Sequence, residues 1–233
     1  GPLERIHIGA IGNGILPPRV SGDGRWILFG YTGPSLTPPI TSNPVASQLY
    51  LLERGTGALE MVSRDVNGEA GDLSSGLFGH YDINLDGDFI AFSSIATNLI
   101  PGSSIGGAIV VKQRSTGTYR LAGPNNFAGT IGPSLSEDGR RVFYLDYSGY
   151  ASNELGFVYD WSTDRRRVAT RPIAGATSGR ICASDLTFGA PPIDSLFQPI
   201  ALSGDGRWAY FSHYANVPGP PSSGPCHLYT RGL

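Results

Sequence analysis

Lysine is nearly missing from this sequence: Lys112 is the only one, and the longest run of basic residues is the three arginines at 165–167. With a net charge of −2, the chain offers no clustered cationic face to follow a phosphate backbone, so nucleic-acid binding is not expected. No apolar run approaches the length of a membrane span, which argues against membrane insertion. Long helix-period patterns are also lacking, and the one stretch suited to a short helix lies within 171–198. Cysteine is limited to Cys182 and Cys226, a spacing that fits neither a redox nor a zinc motif.

What is present is punctuation. Thirty-three glycines and 18 prolines sit between apolar stretches without forming one low-complexity tract, a distribution that suits many short strands joined by turns. The 233 residues suffice for one large domain, and the composition predicts an all-β fold.

One phrase recurs four times: RVSGDGRWILFG from Arg19, DINLDGDFIAFS from Asp82, SLSEDGRRVFYL from Ser134 and ALSGDGRWAYFS from Ala201. Its Asp-Gly pairs, beginning at Asp23, Asp86, Asp138 and Asp205, fall 63, 52 and 67 residues apart. Asp-Gly favours a tight hairpin because both residues tolerate positive φ. Three residues after each Asp stands a large side chain (Trp26, Phe89, Arg141, Trp208), and six after it an aromatic (Phe29, Phe92, Tyr144, Phe211). A third strand follows in every copy and a fourth in three of them. Four antiparallel strands per unit at this period predict a β-propeller of four blades, spanning about 15–64, 79–122, 132–170 and 199–233. The last copy lacks its outer strand. The N-terminal LERIHI aligns with LEMVSR from Leu59, so residues 3–8 are expected to complete the fourth blade and close the ring. Two chains completing one eight-bladed ring would leave the same pattern, so both a monomer and a pair of chains fit.

The stretch from Asp86 to Ala122, with its DGDFIAFSSIATNLIPG loop and its VVKQRSTGTYRLA strands, resembles the repeats of bacterial TolB-type propellers. The likeness covers essentially the whole chain and is best in the second copy. It implies a periplasmic or extracellular scaffold that presents loops to a protein partner, with no catalytic residues and no required cofactor. In such an exported fold the even cysteine count makes a Cys182–Cys226 disulfide the expectation, pinning the 171–198 connection to the fourth blade.

The search for chemistry returns little. Ser104 in GSSIG matches a nucleophile motif, but it lies between two strands instead of on a strand-to-helix turn. None of His7, His80, His213 and His227 has a metal- or triad-spaced neighbour in the sequence. Asp82, Asn84, Asp86 and Asp88 match the oxygen-rich start of a Ca2+ loop, although Ser93 stands where the closing glutamate belongs. Two further sets are candidates for ligand contact. Arg19 and Asp82 open adjacent inner strands and are expected to pair near the channel. Tyr31, Tyr147, His213 and Tyr214 follow the second strands, where aromatics with polar tips suit protein or sugar contacts. The sequence thus predicts a non-enzymatic protein-binding propeller, with a carbohydrate-binding module or the propeller of a larger hydrolase as alternatives.

Overall fold

The computed structural model describes residues 14–37, 46–76, 79–102, 107–123, 130–146, 155–169, 200–214 and 226–233. These residues form four antiparallel sheets that follow one another along the chain. The first holds β1 (Arg19–Val20), β2 (Trp26–Thr32), β3 (Ser47–Glu53) and β4 (Leu59–Met61). The second holds β5 (Tyr81–Ile83), β6 (Phe89–Ser94), β7 (Ala108–Gln113) and β8 (Thr118–Leu121). In the third are β9 (Thr130–Leu135), β10 (Arg141–Asp146), β11 (Leu155–Asp160) and β12 (Arg165–Val168). The fourth has three described strands, β13 (Ile200–Leu202), β14 (Trp208–Tyr214) and β15 (Cys226–Gly232). Within each sheet the strands pair in sequence order, as an up-and-down meander does.

The middle strands are apolar on both faces because each sheet is packed between neighbours. All six residues of β6 are buried, as are six of the seven in β3. Their alternate side chains point into different cores. Leu28, Leu49 and Leu51 meet Tyr81, Ile83, Ile90 and Phe92 between the first two sheets. Phe89, Ala91, Ile109 and Val111 meet Leu135, Val142 and Tyr144 between the second and third. Phe143, Leu145 and Val158 meet Leu202 and Ala209 between the third and fourth. At the outer edge the pattern reverses: β12 is exposed throughout and carries three arginines, charges that discourage further strand pairing.

The recurring turn differs from a two-residue hairpin. Only its glycine enters the left-handed region, with φ of +72° at Gly24, +76° at Gly87, +70° at Gly139 and +67° at Gly206, while the aspartates stay at negative φ. The Asp side chain instead stabilises the turn from outside: Asp23 Oδ1 accepts Ser21 Oγ–H at 2.5 Å and Arg25 N–H at 2.9 Å. The same pair of bonds recurs at Asp138, from Ser136 and Arg140, and at Asp205, from Ser203 and Arg207.

Among the described residues no ring closure is found, and residues 3–8, expected to complete the fourth sheet, lie outside them. Val20 is 56% exposed, whereas its counterparts Ile83, Leu135 and Leu202 are 6%, 7% and 8% exposed.

Candidate functional site

Neighbouring sheets are joined at their turns by two repeated devices. The first is a backbone relay: Asp23 N–H donates to Leu85 O at 2.9 Å, Leu85 N–H to Glu137 O at 3.2 Å, and Glu137 N–H to Gly204 O at 2.8 Å. The second is a large side chain laid over the next turn's glycine. A Cβ at Gly87 would come within 3.0 Å of the Trp26 ring, and one at Gly139 within 3.0 Å of Phe89. At Gly206 the side chain above is Arg141, whose Cδ would stand 3.0 Å from such a Cβ.

The inner strands add a side-chain version of the relay. Asp82 Oδ2 accepts Leu135 N–H at 2.7 Å, and Ser134 Oγ accepts Leu202 N–H at 3.0 Å. Burial pushes the Asp82 carboxyl up to about 6, against the pull of bonds from Leu135 and Ile83 and of the Arg19 charge. Arg19 acts through space: among the described residues no ion pair joins it to Asp82. His80, on the approach to β5, is pushed down to about 4 by burial and then by Arg19, so its imidazole is neutral at physiological pH. Arg19, His80 and Asp82 therefore form one electrostatic group, and Asp82 is committed to holding the third sheet.

The single lysine is likewise used internally. Lys112 Nζ donates to Val62 O at 2.7 Å and lies 4.9 Å from the Tyr119 ring centroid, while burial lowers its pKa to about 8. It binds the second sheet to the first.

A charged bowl of about 320 Å³ lies between the turns of the third and fourth sheets, lined by Asp138, Arg140, Arg141, Asp160, Ser162, Asp205 and Arg207. It exists because arginine replaces the aromatic at this joint. Arg141 Nη1 reaches Gly206 O at 2.8 Å and its Nε stands 3.5 Å from Asp160 Oδ2, so the side chain bridges the gap without filling it. Arg140 and Arg207 are exposed, and the Arg207 guanidinium approaches Asp205 Oδ2 at a long 4.0 Å. Hydrogen bonds from Ser203 and from Arg207 N–H hold the Asp205 carboxyl below its ordinary value. The bowl presents fixed charges of both signs to solvent.

Other expected site residues fall elsewhere. The Ca2+ quartet does not converge. Asp82 faces Leu135; Asn84 accepts from Phe89 N–H and donates to Glu137 O; Asp86 accepts Asp88 N–H; Asp88 is taken up by Ser115 and Gln113. Among the described residues no three acidic, histidine or cysteine side chains could hold a metal. The pattern matches a Ca2+ loop because Asn84 replaces the turn serine and Asp88 replaces the arginine found in the other copies; Asn84 serves the turn, and Asp88 serves the hairpin between β7 and β8. Tyr31 is not a surface contact: it is 2% exposed and packs edge-on against Tyr50, ring centroids 6.3 Å apart. Tyr147, Ser104, His7 and Cys182 lie outside the described residues, so the expected disulfide does too. His213 and Tyr214 end β14, where the backbone pairs them with His227 and Cys226. Ser21, Ser136 and Ser203, two residues before three of the four turn aspartates, hold those turns, and Ser-x-Asp-Gly in three copies is the sequence signal for them.

No family model matches this sequence, and no curated protein does. Solved structures do. TolB from Acinetobacter baumannii superposes with a TM-score of 0.52 at 17% identity, over 94% of this chain and 44% of that one. The β-propeller domain of the Trilobed protease from Pyrococcus furiosus gives 0.54 at 10% identity, over 94% and 54%. An oligogalacturonate lyase gives 0.52 at 16% identity, over 94% and 48%. The fold is that of a β-propeller. The chain spans about half the length of these proteins, and the four sheets are its blades.

Proposed function

We propose that this chain is a non-enzymatic binding propeller, similar to TolB, that holds a protein partner outside the cytoplasm. The observation that carries this reading is the charged bowl. It is concave and open to solvent, and its exposed Arg140 and Arg207 are free of the joint work that occupies Arg141. Fixed charges of both signs at that scale suit a protein surface with complementary charges, for which they supply register and on-rate. The buried inner-strand acid, Asp82, is committed to blade joining. The likeness to TolB supports the same reading.

The test is an immobilised-chain binding measurement against an envelope extract of the source organism. A saturable partner is expected for the unaltered chain, with recovery lost when Arg140→Glu and Arg207→Glu are combined. Recovery of nothing saturable, or of a partner indifferent to both substitutions, would overturn it.

A second reading is the propeller domain of a larger hydrolase, favoured by the superposition on a protease's propeller domain. A catalytic domain encoded in the same reading frame would establish that alternative. A carbohydrate ligand has less support, since Tyr31, one of the aromatics that prompted it, is buried.

A further inference from the structure

The three joints between blades share one construction, and the two ends of the chain's blade series carry its unmatched halves. At each joint a large residue of one blade covers the left-handed glycine of the next: Trp26 over Gly87, Phe89 over Gly139, Arg141 over Gly206. At each, an aliphatic residue of the following blade's inner strand (Ile83, Leu135 or Leu202) is buried in the core that forms there. In the fourth blade the covering residue is Trp208, which is 48% exposed. In the first blade the receiving glycine is Gly24, where a Cβ would meet nothing within 4 Å, and the aliphatic residue is Val20, 56% exposed. An indole and a valine this open, at positions closed three times elsewhere in the same molecule, are unspent interface. The first blade's outer residues Phe29, Tyr31 and Tyr50 are already buried, so the open part is the inner, turn-side end.

We propose that these two surfaces are a fourth blade joint made between two copies of this chain. Trp208 of each copy covers Gly24 of the other, and Val20 of each is buried against the other's fourth blade. The occupant is another copy because one chain carries both complementary halves. A two-fold axis then uses both at once and leaves neither open, giving a closed ring of eight blades. Closure would also remove the apolar ends that an open series of blades exposes.

Sedimentation velocity on the 233-residue chain, from about 1 to about 100 µM, tests the proposal without any partner and so independently of the binding function. The expected result is a species of twice the 24.6 kDa chain mass. Trp208→Glu and Val20→Glu, on opposite ends, should each weaken the pair roughly tenfold or more while leaving the far-ultraviolet circular dichroism unchanged. If one variant fails to fold, the other still decides. A single-chain mass at every concentration, a pair that either folded variant leaves intact, or open assemblies larger than two chains would overturn it.

Discussion

The joint between the second and third blades and the joint between the third and fourth share a backbone and differ in filling. At the former, Phe89 covers Gly139 and meets Trp161 edge-on, ring centroids 5.3 Å apart, and the Asp82 carboxyl takes Leu135 N–H. At the latter, Arg141 covers Gly206 and a neutral Ser134 hydroxyl takes Leu202 N–H. One joint is sealed by rings; the other opens into the bowl. A repeat can therefore keep its mechanical connection while a single position, three residues after the turn aspartate, decides whether the seam is core or surface.

The largest effect that could break this comparison is Phe89→Ala, expected to cost about 3–4 kcal/mol in urea unfolding because it empties a closed core, against about 1 kcal/mol for Arg141→Ala. Equal losses would erase the distinction between the two seams. Next come the glycines. Gly139→Ala places a Cβ against the Phe89 ring at positive φ and should cost about 2–3 kcal/mol, whereas Gly206→Ala meets a flexible arginine stem and should cost about 1 kcal/mol, read from thermal melts.

Asp82→Asn sharpens the electrostatic side. The folded carboxyl, at about 6, titrates above its ordinary 3.8, so the native state holds more protons between those values. The favourable contribution of the protonated form is fully present below 3.8 and is lost as pH rises through 6. The amide cannot ionise, and its oxygen can still accept Leu135 N–H. The variant should match the unaltered chain near about pH 3 and exceed it by about 3 kcal/mol near about pH 8, a gap that parallel denaturant titrations would measure. Smallest of all, Arg140→Ala should change stability by no more than about 0.5 kcal/mol, because its side chain is exposed, which separates bowl function from fold maintenance.

The sequence made the blades legible because the Asp-Gly phrase fixes where each sheet begins and the alternation at 27–29 or 90–92 assigns each side chain to a neighbour. It could not show ring closure. Val20 and Ile83 are interchangeable in sequence, and only their exposures of 56% and 6% tell the open end from the joint. The Ca2+ pattern does not gather into one site for a related reason: the Asp-Gly turn separates Asp82, on β5, from Asp88, just before β6, and the two carboxyls serve Leu135 and Ser115. Tyr31 misled because it stands two residues beyond Phe29 on one strand face and shares its core. The bowl was unreadable because it needs Arg140, Asp160 and Arg207, residues from three separate segments, to be brought together at one seam.

The relay of turn amides, from Asp23 to Leu85, Glu137 and Gly204, bears on how the molecule can move. Sliding one blade lengthwise past the next would break a bond at each side it shares, whereas opening the angle between blades pivots about those same bonds. Bending about the turn face is thus the soft mode and lengthwise shear the stiff one. Whatever docks on the turns would grip the pivot, and whatever docks on the opposite loops would ride the moving rim.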